Sequence, residues 1–284
     1  MFIKFSAKAQ GKSHIEKNIP CQDAAEAILG SNIGMAFVAD GHGGAKYFRS
    51  ERGSELAVSV ARKSLYDFYG KILRQKTAFF DKKAVSIEQK NKEITDFLKQ
   101  LEGNIIYQWR NSVIEHLNTN PLTDAEKEIC ISNKIDMDDP SNLILLYGTT
   151  LLAAFMSGSF WFVLQIGDGL IVVLDNDGIA SLPVPEDERL AFGRTTSLCD
   201  SDAIKNFREN FGFESIKGIT VATDGVADSF EPEKYLRFNE ELLEKFTHIP
   251  VKAEADLQEF LPRLSERGSG DDVAITGIFR QEEC

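Results

Sequence analysis

Apolar runs in this 284-residue chain stop or start at acidic clusters. Ile33 to Ala39 runs into Asp40-Gly41-His42-Gly43-Gly44, Ile219 to Thr223 runs into Asp224-Gly225, and Asp271-Asp272 opens the run Val273 to Phe279. A fourth cluster, Gln22-Asp23, precedes the strand-like stretch Ala24 to Leu29. Short apolar runs bounded by glycine and turn residues read as buried strands. Carboxylates at strand ends can converge on one point, where without cations they would repel and raise one another's pKa. A site for hard divalent ions that prefer oxygen ligands is the economical explanation, which makes the chain a candidate metalloenzyme.

The length and a hydrophobic content of 43% suffice for one large core, so a single domain over 1–284 is expected. Asp plus Glu number 44 against 32 Lys plus Arg, a formal charge of −12, which argues against nucleic acid as a partner and suits solubility. Cys21, Cys130, Cys199 and Cys284 lack C-x-x-C spacing, so free thiols are expected rather than a zinc site or a disulfide framework. No stretch reaches membrane-spanning length and the first eight residues have no sustained apolar core. A cytoplasmic monomer with no membrane partner is the expectation.

Phe2 to Ala9, Ala24 to Leu29 and Ile33 to Ala39 read as an opening sheet. From about residue 45 to 131 the chain turns helical: Leu56, Val60, Leu65, Phe68 and Ile72 recur at helical spacing, and Ile94, Phe97, Leu98, Leu101, Ile105 and Trp109 mark one buried helix face. Asp136 to Asn142 lacks the glycine and distal glutamate of an EF-hand and reads as a solvated turn. Leu151 to Met156, Phe160 to Ile166 and Leu170 to Leu174 form a second antiparallel group, with Ser157-Gly158-Ser159 and Gly167-Asp168-Gly169 as hairpin signals. Residues 183–215 carry many charges and little periodicity, a surface flap that borders the site. Glu231 to Phe246 and Glu254 to Leu264 are amphipathic helices, and Val273 to Phe279 is a closing strand. The pattern alone gives α+β.

At these residues the order Gln-Asp, Asp-Gly-His-Gly-Gly, Gly-Thr-Thr, Gly-Asp-Gly, Thr-Asp-Gly-Val, Asp-Asp resembles the PP2C-type metal-dependent Ser/Thr protein phosphatases. The bacterial branch is the nearest likeness, through Gly11, Ser13 and His14 followed by Pro20-Cys21-Gln22-Asp23. The resemblance implies a four-layer αββα sandwich, two antiparallel sheets flanked by helices. It also implies two Mg²⁺ or Mn²⁺ ions: Asp40 shared, Asp224 and Asp271 on the first, Asp23 and the Gly41 carbonyl on the second. In that scheme a hydroxide between the ions attacks the phosphoester, and His42 protonates the departing serine or threonine oxygen. The substrate would be a phosphorylated protein, the product of a Ser/Thr kinase.

Four departures from the family pattern bear on mechanism. No arginine precedes Arg49, so His14 and Lys12 are the candidates for binding phosphate. Leu143 to Leu146 replaces an acidic residue that helps hold a third ion, leaving Asp228 as a weak ligand for it. Gly169 replaces the usual serine of the Gly-Asp-Ser turn, and Ala274 stands near a usual Ser/Thr. Gly148, Thr149, Thr150 and the Gly167 turn read as structural, small residues allowing close packing. Two alternatives follow: a catalytically silent binding module, which would bind metal without turnover, and a phosphatase of a small metabolite, which substrate screening would separate.

Overall fold

A computed structural model describes residues 1–74, 86–158, 160–185, 187 and 195–281. The strands are β1 (Phe2–Ala9), β2 (Ala24–Leu29), β3 (Ile33–Ala39), β4 (Leu151–Ser157), β5 (Trp161–Ile166), β6 (Leu170–Leu174), β7 (Ala180–Ser181), β8 (Arg208–Gly212), β9 (Gly218–Ala222) and β10 (Val273–Arg280). They form two five-stranded antiparallel sheets, ordered β1-β10-β9-β6-β7 and β2-β3-β4-β5-β8. Each of the central strands is buried on both faces, which is why they read as continuous apolar runs. In β3, Ile33, Met35 and Phe37 face one core while Ala36 and Val38 face another; in β4, Leu151, Ala153 and Phe155 alternate in the same way with Leu152, Ala154 and Met156.

Three apolar cores therefore separate four layers. The middle one lies between the sheets, where Ala36, Val38, Leu152 and Val163 meet Ile171, Ile219, Val221 and Ile278. The second sheet's outer face is covered by α2 (Ser50–Arg74) and α3 (Ile87–Thr119), through Ala57, Ala61, Leu65, Leu98, Ile105 and Trp109. The first sheet's outer face is covered by α8 (Pro232–His248) and α9 (Pro250–Arg267), through Tyr235, Phe246, Leu257 and Leu261. Phe5 stacks on Phe246 with ring centroids 4.3 Å apart. Both α8 and α9 begin on a proline, which suits the first helical position because no intrahelical partner awaits its missing N–H. This is the αββα sandwich expected.

Shorter helices are α1 (Lys12–Lys17), α4 (Asp124–Ser132), α5 (Pro140–Ile144), α6 (Ala203–Asn206) and α7 (Asp224–Ala227). Two expectations about connectivity need correction. β1 pairs with β10, from Phe2↔Arg280 to Ala9↔Val273, and not with β2 and β3. Gly167-Asp168-Gly169 does not close a hairpin: β5 pairs with β4 and β8, whereas β6 pairs with β7 and β9, so this turn carries the chain from one sheet to the other. Strands apolar on both faces give no sign of which sheet they join.

Within residues 183–215, α6 and the edge strand β8 are regular. The half-exposed, polar β8 has no apolar run to announce it. Residues 186 and 188–194 of that segment, 75–85 of the helical block, the Ile72 side chain, Ser159 and Cys284 lie outside the described residues. The described Cys21, Cys130 and Cys199 are free thiols. No helix among the described residues is long and apolar enough to cross a membrane.

Candidate metal centre

Asp40 follows β3, Asp168 sits in the crossing between β5 and β6, and Asp224 follows β9 as the first residue of α7. One carboxylate oxygen from each lies within 4.8 Å of the other two. Burial, followed by the like charges of Asp168 and Asp271, pushes the Asp224 carboxyl up to about 6. Asp40 is raised well above the ordinary carboxylate range, first by burial and then by Asp23, Asp224, Asp168 and Asp271. Asp23, 2% exposed, is likewise raised, by burial and by Asp272, Asp224 and Asp271, while a hydrogen bond from the Thr223 hydroxyl at 2.8 Å offsets part of the shift. Unpaired carboxylates packed this closely are costly without cations, and an all-oxygen donor set of this kind fits hard divalent ions.

The backbone around the cluster is held by a dense set of bonds. The Thr149 hydroxyl and the Thr150 amide both donate to the Asp40 carbonyl, at 2.8 and 2.9 Å, and the Asp40 amide donates to the Thr150 hydroxyl at 2.9 Å. The Gly-Thr-Thr motif is thus needed for its hydroxyls as well as its small size. Gln22 is a hub: its amide donates to Asp272 at 2.6 Å, its carbonyl accepts from the Gly41 amide and the Ser54 hydroxyl, and its side chain donates to Ser50. A Cβ on Gly41 would lie 2.7 Å from the carbonyl oxygens of both Gln22 and Ser50, so its neighbours alone require glycine. Gly225 is pressed against the Asp272 carbonyl, where a Cβ would sit 1.9 Å from the oxygen. That contact docks α7, and Asp224 with it, onto the start of β10.

His42 donates its backbone N–H to the Gly148 carbonyl at 3.0 Å, and its ring meets Tyr47 edge-on. Burial, helped by the Lys46 charge, pushes the imidazole down to about 4, so it is neutral at pH 7 in this state. Asp271 stands apart from the tightest trio by its hydrogen bonding. Its Oδ1 accepts from the Asp272 amide at 2.8 Å and lies 3.7 Å from His14 Nε2, yet its charge bears on Asp23, Asp40 and Asp224. His14 bonds to Asp272 through Nδ1 at 2.9 Å, and Lys12 ends on Glu266 and Glu16 in exposed ion pairs of little energetic weight. Asp228, one turn beyond Asp224, is raised by burial and by Asp168.

Sequence reasoning passed over Asp168, although it too ends an apolar run; the rule that picked out Asp40 and Asp224 applies to it. Arg49, the first arginine in the chain, is committed elsewhere: its guanidinium takes both Glu126 oxygens at 2.7 and 2.8 Å, with Tyr147 Oη and the Asn120 carbonyl at 2.8 Å.

Two stacked antiparallel sheets with acidic strand ends gathered at one edge define the PP2C fold class. The sequence model of the protein phosphatase 2C family matches residues 10–262, and the chain belongs to that family. Similar solved structures include the Mycobacterium tuberculosis serine/threonine phosphatase PstP (16% identity, 99% of each chain, TM-score 0.54) and Stp1 of Staphylococcus aureus (14% identity, 99% of this chain and 96% of that one, TM-score 0.55). The catalytic domain of PstP has also been solved in complex with two manganese ions (16% identity, 99% of each chain, TM-score 0.52). At these identities the likeness is one of fold. No curated protein sequence matches the chain.

Proposed function

We propose that this protein is a divalent-metal-dependent phosphatase that hydrolyses phosphoserine and phosphothreonine on proteins, with two Mg²⁺ or Mn²⁺ ions as cofactors. The observation that carries the reading is the gathering of Asp40, Asp168 and Asp224 within 4.8 Å, with the carboxyls of Asp40 and Asp224 raised by burial and mutual charge. Asp40, Asp168 and Asp224 would hold metal, with Asp23 and Asp271 contributing charge from either side. When bound, the ions supply neutralisation of the phosphate dianion and Lewis acidity at its oxygens.

The remaining chemistry belongs to the chain. The Asp40 backbone is held by three hydrogen bonds with the Thr149-Thr150 pair, two accepted by its carbonyl and one donated by its amide, which fixes the point from which its side chain departs. As a water oxygen bonds to phosphorus and the phosphorus–oxygen ester bond breaks, the departing serine oxygen takes that bond's electron pair and must gain a proton. His42, two residues beyond Asp40, stands to deliver it. Burial holds the imidazole neutral at pH 7 without ligand, so the acid role would require the negative charge of a phosphate beside it to bring the proton on. Lys46, whose charge bears on His42, would meet the phosphate in place of the missing arginine.

Hydrolysis of p-nitrophenyl phosphate and of a phosphoserine peptide tests the reading. Activity is expected with Mn²⁺ or Mg²⁺ and not in EDTA, and Asp40→Asn or Asp224→Asn should lower turnover by about 100-fold or more, the scale seen when metal sites are disturbed. Activity that persists in EDTA overturns the proposal. Turnover of phosphorylated metabolites but not of phosphopeptides would move the assignment to a small-molecule phosphatase.

A further inference from the structure

The imidazole of His14 is oriented by an arrangement more elaborate than packing requires. Asp272 is 3% exposed, and its two oxygens are fully engaged: Oδ1 accepts from the Gly11 amide at 2.6 Å, and Oδ2 from the Gln22 amide at 2.6 Å and from His14 Nδ1 at 2.9 Å. A carboxylate fixed by two backbone amides is an acceptor, so Nδ1 of the imidazole turns its hydrogen toward Asp272 and Nε2 is the ring nitrogen left for another partner. Nε2 faces Asp271 Oδ1 at 3.7 Å. That separation lets one ion bind both atoms at about 2 Å, the usual length of a metal bond to imidazole nitrogen or carboxylate oxygen. His14, Asp271 and Asp272 offer ligand atoms all within 4.8 Å of one another.

This pair is continuous with the acidic centre. Asp272, next in the chain to Asp271, accepts from the amide of Gln22, the neighbour of Asp23, and its carbonyl packs on Gly225, the neighbour of Asp224. We propose that His14 Nε2 is a metal ligand, sharing an ion with Asp271, and that Asp272 is the positioning residue that fixes the imidazole. The inference rests on the metal centre proposed above and deepens it. An imidazole in the donor set favours Mn²⁺ and other transition ions over Mg²⁺, which keeps to oxygen. A buried carboxylate behind a ligating histidine is the outer support such ligands ordinarily have.

Pulsed electron paramagnetic resonance of the full chain loaded with Mn²⁺ tests this without measuring turnover. The wild-type protein should show nitrogen modulation from a bound imidazole, and growth with ¹⁵N-histidine should convert it to the ¹⁵N pattern, a control that needs no mutation. The modulation should vanish in His14→Ala and in His14→Gln, which keeps a donor toward Asp272, and should survive in His42→Ala. The preference for Mn²⁺ over Mg²⁺ should fall about tenfold or more in both His14 variants. Mn²⁺ bound without imidazole modulation, or modulation lost only with His42, overturns the inference and leaves the proposed function standing. No Mn²⁺ bound at all overturns both.

Discussion

Glu102 on α3 is a carboxylate with no exposed surface, in an ion pair with Lys99 at 3.0 Å; Lys99 in turn reaches Glu209 on β8 at 2.7 Å. Burial pushes this carboxyl up to about 7. Because the folded state then binds the proton more tightly than the unfolded chain, stability is greatest below the ordinary glutamate value and is lost as pH rises through about 7. Glu102→Gln should remove that dependence. Unfolding by urea is expected to show the variant gaining about 1–3 kcal/mol on the wild type between pH 5 and pH 8, the scale of a shift of this size. Equal pH profiles would mean that Lys99 already compensates the charge. Glu102 and Asp168 show the limit of reading residues singly. Asp40, Asp224 and Asp271 announce themselves because each borders a run; Asp168 does too, but the glycines around it suggested a hairpin. Glu102 lies on an apolar helix face and has no sequence signal beyond being charged where a core residue is due.

At the level of elements, Arg49 joins the loop after Asp40 to α4. Its guanidinium clamps Glu126, and Glu126 also closes a capping box with Thr123 at the start of α4. The pairing holds the Glu126 carboxyl down at about 2. Lysine cannot reproduce two parallel bonds. Arg49→Lys is therefore expected to cost about 1–3 kcal/mol in thermal or urea unfolding. The KM for a phosphopeptide should stay unchanged, because Arg49 is occupied by protein groups; a large rise in KM would identify it as the phosphate arginine after all. Helices α2, α3, α8 and α9 were legible because one-sided apolar spacing repeats over many turns. The six-residue α1 was not, with no buried residue to set a period, and β8 was hidden by its polar, half-exposed edge.

For the molecule as a whole, the acidic centre sets a link between metal and stability. Asp23, Asp40 and Asp224 are raised, so the ion-free protein loses stability as pH climbs above the ordinary aspartate value, through about 6 for Asp224. His42, pushed down to about 4, acts in the opposite sense, since the unfolded chain takes up its proton first as pH falls below the usual histidine value. Three carboxyls outweigh one imidazole. Ions that replace the protons should thus stabilise most where the carboxyls are ionised. The rise in melting temperature on adding Mn²⁺ should be larger at pH 7.5 than at pH 5.5, and an equal rise at both would place the ion elsewhere.

The pairing of β1 with β10 carries a further consequence for biosynthesis. Once synthesised, β1 must wait for β10, more than 260 residues further along, and β9 waits for the same strand on one side. Such distant closure slows folding. Until then the nascent chain holds an apolar sheet edge open to chaperones, and a ribosome that stalls before Asp271 releases a product that lacks both β10 and one of the carboxylates whose charge bears on the acidic centre.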